Sequence, residues 1–164
     1  MRKTISLILS VLMILSSFSI ITTISAKETE ALVIYLLINY QEKSFEKLKK
    51  LIENNVIKIE RNKTIINKLY EEHEKGNINI ENILDMFDDE NTINYLSGIM
   101  SSDFEISDVD KCIDDIIVTY RKEMLLQRRN EILSKIDNGN STKEEIASLE
   151  TELNDIIIKL AKMK

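Results

Sequence analysis

The stretch from Ser141 to Met163, STKEEIASLETELNDIIIKLAKM, carries the clearest structural signal in this chain. Its large apolar residues recur at alternating spacings of three and four residues, the heptad pattern of a helix that packs along another helix. Ser141 and Glu144 match the capping-box pattern that begins a helix. The apolar residues expected to form the seam of this final helix are Ile146, Leu149, Leu153, Ile156, Leu160 and Met163.

A second long helix precedes the final one. Ser107 and Asp110 approximate a capping box at its start, and the run Asp-Asn-Gly-Asn at 137–140 ends it. Because a turn of only four residues makes two long helices antiparallel neighbours, we expect a helical hairpin. The residues expected to face the final helix are Ile113, Ile117, Tyr120, Met124, Ile132 and Ile136.

The rest of the chain also favours helices, because proline is absent and the 164 residues include only three glycines. A first helix is predicted over 28–40, and it is apolar almost all round from Leu32 to Ile38, so we expect this helix at the centre of a bundle. Further helices are predicted over 45–54, 62–75, 79–87 and 90–100, with Ser44 and Asn79 as N-caps. We therefore expect an all-α fold in which a helical bundle over 27–103 precedes the hairpin over 104–164.

Residues 1–26 have the layout of a secretory signal. Arg2 and Lys3 form a basic start, residues 5–21 are uncharged and mostly apolar, and a small polar segment ends at Ala26. We expect cleavage after Ala26 or, alternatively, an uncleaved membrane anchor, since the apolar run is just long enough to span a bilayer. Both interpretations place Lys27 and the residues after it outside the cytoplasm. The remaining alternatives are a helix that docks on the domain in the cytoplasm and a fused segment without signal function.

No catalytic or metal-binding motif is apparent in the sequence. The single cysteine and single histidine cannot supply a usual zinc site, and no two glycines lie close enough for a phosphate-binding loop. His73 is expected to be solvated at the end of its helix. Asp108 and Asp110 are better explained as favourable charges at a helix start than as a magnesium pair. We expect a binding module without cofactor or metal, and not an enzyme; the net charge of −6 disfavours direct nucleic-acid binding.

Several apolar residues of the hairpin lie outside the predicted seam. Ile158 falls on the side of the final helix away from its partner, because it lies five positions beyond Leu153. Exposed large aliphatic residues on a hairpin usually mark a contact surface, and a helix of another protein could pack on them. The predicted surface consists of Leu126, Leu133, Ile157 and Ile158, with Arg128 and Arg129 as charged residues at its rim. The alternative is that these residues cover the bundle of the same chain.

The order of segments in residues 28–164 resembles the C-terminal helicase-binding domain of bacterial DNA primase. The matching segments are 30–39 (EALVIYLLIN), 65–76 (IINKLYEEHEKG), 94–100 (NYLSGIM), 110–117 (DKCIDDII) and 120–133 (YRKEMLLQRRNEIL), followed by a glycine turn and a zipper-like final helix. In that family a helical bundle precedes a hairpin that docks on the N-terminal region of the replicative helicase. The N-terminal domain of the helicase has a related shape.

The resemblance implies a replication-interaction domain whose partner is the N-terminal domain of the replicative helicase. The zinc-binding and polymerase domains of a primase are absent from this chain, so it would not make primers alone. The signal-like residues 1–26 have no counterpart in that family. They imply the other hypothesis, an exported or membrane-tethered helical protein that uses the same scaffold to bind an unknown protein partner.

Overall fold

The computed structural model describes residues 26–54, 56–76, 78–138 and 142–163. Over these residues every regular element is a helix and no strand occurs, which confirms the predicted all-α fold. The helices are α1 (Ala26–Asn39), α2 (Gln41–Glu53), α3 (Glu60–Glu74), a 3-10 helix (Ile80–Met86), α4 (Glu90–Met100), α5 (Val109–Asp137) and α6 (Lys143–Lys162).

Helix α1 forms the centre of the bundle, as its apolar sequence predicts. It packs against α2, α3 and α4, so side chains on almost every side of it are covered. The fully buried residues of α1 are Val33, Ile34, Leu36, Leu37 and Ile38. Ile65, Ile66 and Leu69 of α3 and Leu96 of α4 are fully buried in the same core. Apolar burial of this extent is the main source of stability for a domain of this size.

Several helix ends differ by a few residues from the sequence predictions. Helix α2 begins at Gln41, so Ser44 lies inside the helix instead of capping it. The Ser44 hydroxyl is buried and donates to the backbone carbonyls of Leu36 and Tyr40, at 2.8 and 2.6 Å. Asn79 does cap the short helix, which is of the 3-10 type, by accepting from the backbone N–H of Glu81. Gly76 follows α3 with a φ of 71°, a left-handed conformation that glycine adopts without strain.

The N-caps of the two hairpin helices each lie one residue later than predicted. Asp108, and not Ser107, caps α5 by accepting from the backbone N–H of Lys111 at 3.0 Å. Helix α6 has a capping box, but its residues are Thr142 and Glu145. The predicted box at Ser141 and Glu144 is therefore wrong by one position, because adjacent residues satisfied the same short pattern.

Helix α5 belongs to the bundle at its start and to the hairpin at its end. Ile113, Ile116 and Tyr120 are buried in the core that α1 organises, and α2 packs along this part of α5. Near the other end of α5, Ile132 is fully buried, and α6 packs alongside. The predicted boundary between 27–103 and 104–164 stays a prediction, since the apolar core continues across it.

The burial pattern of α6 follows the predicted seam. Ile156 is buried, and Ile146, Leu149, Leu153, Leu160 and Met163 are half-buried. On α5 the prediction is wrong for Ile113, Ile117 and Tyr120, which pack against the bundle core, and for Met124, which is 40% exposed. Met124 lies one helical turn after Tyr120, on the same side of α5. The bundle covers Tyr120 but does not reach as far as Met124.

The start of α1 bears on the signal prediction. Ala26, the predicted cleavage residue, is the first residue of α1, and residues 1–25 lie outside the described part of the chain. A chain cut after Ala26 would keep nearly all of α1. Within the described residues, no helix combines the length and apolarity needed to cross a membrane.

Candidate functional site

Arg128, predicted as a rim residue of a binding surface, joins the two hairpin helices. Its Nε and Nη2 atoms donate to the two carboxylate oxygens of Glu152 on α6, at 2.6 and 2.9 Å. Its Nη1 atom donates to Glu131 of its own helix at 3.3 Å. These partners raise the pKa of Arg128 and lower that of Glu152. A two-point contact of this kind sets the register of α5 against α6.

Three of the predicted site residues lie on the opposite edge of the hairpin from this ion pair. An α-helix turns about 100° per residue, so Leu126 and Leu133 lie about 160° and 140° around α5 from Arg128. Ile157 likewise lies about 140° around α6 from Glu152. All three side chains are half-buried. We call Leu126, Leu133 and Ile157 the apolar edge of the hairpin.

Ile158 and Arg129, the remaining two residues of the predicted surface, have different surroundings. Ile158 is 52% exposed, and it faces away from α5 as the heptad assignment predicts. Arg129 is half-buried, and its guanidinium donates to the side-chain oxygen of Asn130 at 3.3 and 3.1 Å. The predicted set is therefore divided. The apolar edge lies next to Ile158, whereas Arg128 lies on the other edge and is engaged by two carboxylates.

A cleft of about 400 Å³ lies on the Arg128 side of the hairpin. Its walls come from the connection between α2 and α3 and from the middle of α5, and one ion pair, between Lys58 and Glu123 at 3.5 Å, bridges them. The lining residues are Asn54, Val56, Lys58, Tyr120, Glu123, Met124, Gln127, Arg128 and Glu131. Two positive and two negative side chains balance in this lining, so the cleft does not select a ligand by charge.

Sequence reasoning missed a buried carboxylate next to this cleft. Glu30 on α1 has no exposed surface, and its oxygens accept from the backbone N–H groups of Lys58 and Ile59, at 2.7 and 3.3 Å. They also accept from the side-chain amide of Asn62 at 2.8 Å. Glu30 thus satisfies donors at the start of α3, where the helix dipole also favours a negative charge. No distinct signal for this role was present in the sequence, because Glu30 follows Lys27, Glu28 and Thr29 in the polar first part of α1.

Two buried polar atoms near Glu30 have no hydrogen-bond partner among the described residues. They are the side-chain oxygen of Asn62 and the hydroxyl of Tyr120. Burial raises the pKa of Tyr120, and the charges of Glu30 and Glu123 raise it further. Since the Tyr120 hydroxyl is buried, it does not reach the open part of the cleft, and this group is a structural junction of α1, α3 and α5.

The residues considered for metal binding make other contacts in the structure and do not lie close together. His73 is not solvated as expected, because its ring stacks on Phe45 with centroids 3.8 Å apart. Asp110 pairs with Lys43 and Lys47 of α2, at 2.7 and 2.8 Å, which holds its pKa down to about 2. Across the described ranges, no three His, Cys, Asp or Glu side chains are grouped closely enough to hold a metal ion.

Comparison with known proteins identified no relative: no family model, no curated protein and no solved structure matches this chain.

Proposed function

We propose that the chain is a non-catalytic interaction domain whose hairpin binds the N-terminal domain of a replicative helicase. The observation that carries the proposal is the exposed Ile158 beside the apolar edge of Leu126, Leu133 and Ile157. The resemblance of residues 28–164 to the helicase-binding domain of bacterial primase supports the choice of partner.

The geometry suits a helical partner. The apolar edge follows the line along which α5 and α6 meet, so a third helix laid there would contact both. Its apolar residues would cover side chains that are now only half-buried, and Ile158 would form the border of the contact. The ion pair between Arg128 and Glu152 lies on the other edge, where it links α5 to α6 away from the proposed contact.

The test is a pull-down, followed by titration calorimetry, with the N-terminal domain of the replicative helicase from the same organism. The chain is used with the N-terminus that it has in its host. Ile158→Asp should weaken binding by about 10–100-fold, because burial of one isoleucine contributes about 1.5–3 kcal/mol. Ile80→Asp is the matched control, since Ile80 is similarly exposed, at 44%, but lies on the bundle.

Each outcome separates the possibilities. Loss of binding in Ile158→Asp, with an unchanged thermal unfolding curve and normal binding by Ile80→Asp, supports the proposal. No binding by the wild-type chain refutes the helicase as partner. Equal binding by both variants shows that the contact lies elsewhere.

A second proposal is favoured by the signal-like residues 1–26, namely an exported or membrane-tethered helical protein that binds another protein partner. The hairpin surface would be the same, but the helicase could not be the partner, because no replisome lies outside the cytoplasm. Mass spectrometry of the native N-terminus distinguishes the two. A chain that begins at Lys27 supports export, whereas an intact Met1 in the cytosolic fraction supports the replication proposal.

A further inference from the structure

One face of α6 carries no charge after the first residue of the helix, Lys143, although most other exposed positions of this helix are charged. Relative to the buried Ile156, this face lies about 140–180° around the helix, on the side opposite α5. We call it the outer face of α6; its residues are Ala147, Thr151, Asn154, Ile158 and Ala161, all exposed. They recur at spacings of four and three residues, so α6 has a second heptad stripe in addition to the seam with α5.

The charges that border the outer face point to a specific occupant. Glu144 and Lys162 lie on the same side of α6, since 18 residues are about five helical turns. Both are exposed, and neither has an ion-pair partner among the described residues. A second α6 running in the opposite direction would bring its Lys162 to Glu144 and its Glu144 to Lys162. In a parallel pair, Glu144 of one copy and Lys162 of the other would lie about 27 Å apart along the helix axis, so they could not form an ion pair.

The uncharged residues fit the same antiparallel register. When the charged pairs meet, Ile158 of one copy lies opposite Ala147 of the other, where the small alanine leaves space for the larger side chain. Thr151 then lies opposite Asn154, and these two side chains can form a hydrogen bond between the copies. Because the arrangement has two-fold symmetry, each contact occurs twice.

We propose that the chain forms an antiparallel homodimer through the outer face of α6. The occupant of this face is a second copy of the chain, chosen by the charge complementarity of Glu144 and Lys162 and by the fit of Ile158 onto Ala147. This inference is independent of the proposed helicase binding, since it concerns the chain alone. Ile158 is shared by both surfaces, so a bound helicase and a second copy would compete for it.

The test is sedimentation equilibrium of the chain with its native N-terminus, over a range of protein concentrations. The wild-type chain should show a monomer–dimer equilibrium. Glu144→Lys and Lys162→Glu should each raise the dissociation constant about tenfold, because two attractive pairs become repulsive. The double variant Glu144→Lys/Lys162→Glu should return to within about threefold of the wild type, since both pairs are restored with opposite signs.

Two further variants complete the test. Ala147→Glu should abolish the dimer without unfolding α6, because the longer side chain occupies the space that Ile158 requires, and glutamate is a good helix former. Glu105→Lys is the control, a charge reversal at an exposed residue outside helices α5 and α6. A wild-type chain that stays monomeric at all concentrations overturns the inference. A double variant as weak as the single variants overturns the antiparallel register. A monomer that still binds the helicase domain refutes the dimer alone and leaves the proposed function intact.

Discussion

Replacing Glu30 with glutamine should destabilise the fold far more than the small chemical change suggests. All three partners of the Glu30 carboxylate are donors, namely the backbone N–H groups of Lys58 and Ile59 and the side-chain amide of Asn62. Glutamine replaces one accepting oxygen with an NH2 group, so a donor would face a donor inside the core. Asn62 could turn its amide to accept from the new NH2, and its own NH2 would then replace the buried oxygen that already lacks a partner. The hydrogen bonds around position 30 would then join neutral groups and would be weaker than bonds to a carboxylate.

The magnitude follows from the interactions that are lost. A hydrogen bond to a charged group contributes about 1.5–3 kcal/mol, whereas a hydrogen bond between neutral groups contributes about 0.5–1.5 kcal/mol. The negative charge at the start of α3 contributes about 0.3–1 kcal/mol more. These terms overlap, since the charge that strengthens the three hydrogen bonds is the same charge that the start of α3 favours. We therefore expect Glu30→Gln to lower the free energy of unfolding by about 2–4 kcal/mol.

Urea unfolding followed by circular dichroism measures this change directly. Glu60→Gln is the matched control, because Glu60 is an exposed acidic residue in the first turn of α3, the helix whose start Glu30 contacts. We expect the control to change the free energy of unfolding by no more than about 0.5 kcal/mol. In thermal unfolding, Glu30→Gln should lower Tm by about 10 °C, while the control stays near the wild type.

The reasoning is refuted if Glu30→Gln lowers the free energy of unfolding as little as Glu60→Gln does. That result would mean that the start of α3 is satisfied by water or by backbone rearrangement, so that the buried carboxylate is not required. A large effect in both variants would assign the stabilisation to the helix dipole and not to the hydrogen bonds of Glu30.

Three other changes test further parts of the structure. Tyr120→Phe should leave stability unchanged or raise it by up to about 1 kcal/mol, because the buried hydroxyl has no partner among the described residues; a clear loss in urea unfolding would reveal a partner for it. Ile156→Ala should cost about 2–5 kcal/mol, and Leu153→Ala less, since only Ile156 of the α6 seam is fully covered; the reverse order would contradict the hairpin packing. Asp110 has its pKa lowered from 3.8 to about 2, so its stabilising contribution is present above pH 3.8 and is lost as the pH falls toward 2. Asp110→Asn should remove this part of the acid dependence, and an unchanged stability profile between pH 4 and about 2 would show that the two lysines do not hold the carboxylate in solution.

Local patterns in the sequence were sufficient to predict the fold class and the positions of most helices. Helix periodicity is a property of neighbouring residues, so the apolar stripes of α3, α4 and α6 were visible without knowledge of their partners. The same applies to Ile158, whose position five residues beyond Leu153 predicted its exposure. Short capping motifs were less reliable, because Ser107 and Asp108, or Ser141 and Thr142, are adjacent residues that can each accept the same kind of hydrogen bond.

Contacts between distant segments could not be predicted from those patterns. Glu30 and Asn62 are 32 positions apart, and only the packing of α1 against α3 reveals that the carboxylate belongs at the start of α3. The sequence predicted Arg128 as a charged rim residue of a binding surface, and only the packing of α6 against α5 shows that Glu152 lies beside it. The amino-acid order thus specified which residues form helices and which faces are apolar, since both depend on local geometry. The partner of each polar side chain was settled only in the tertiary structure, because hydrogen bonds and ion pairs require distances that the chain sets by folding.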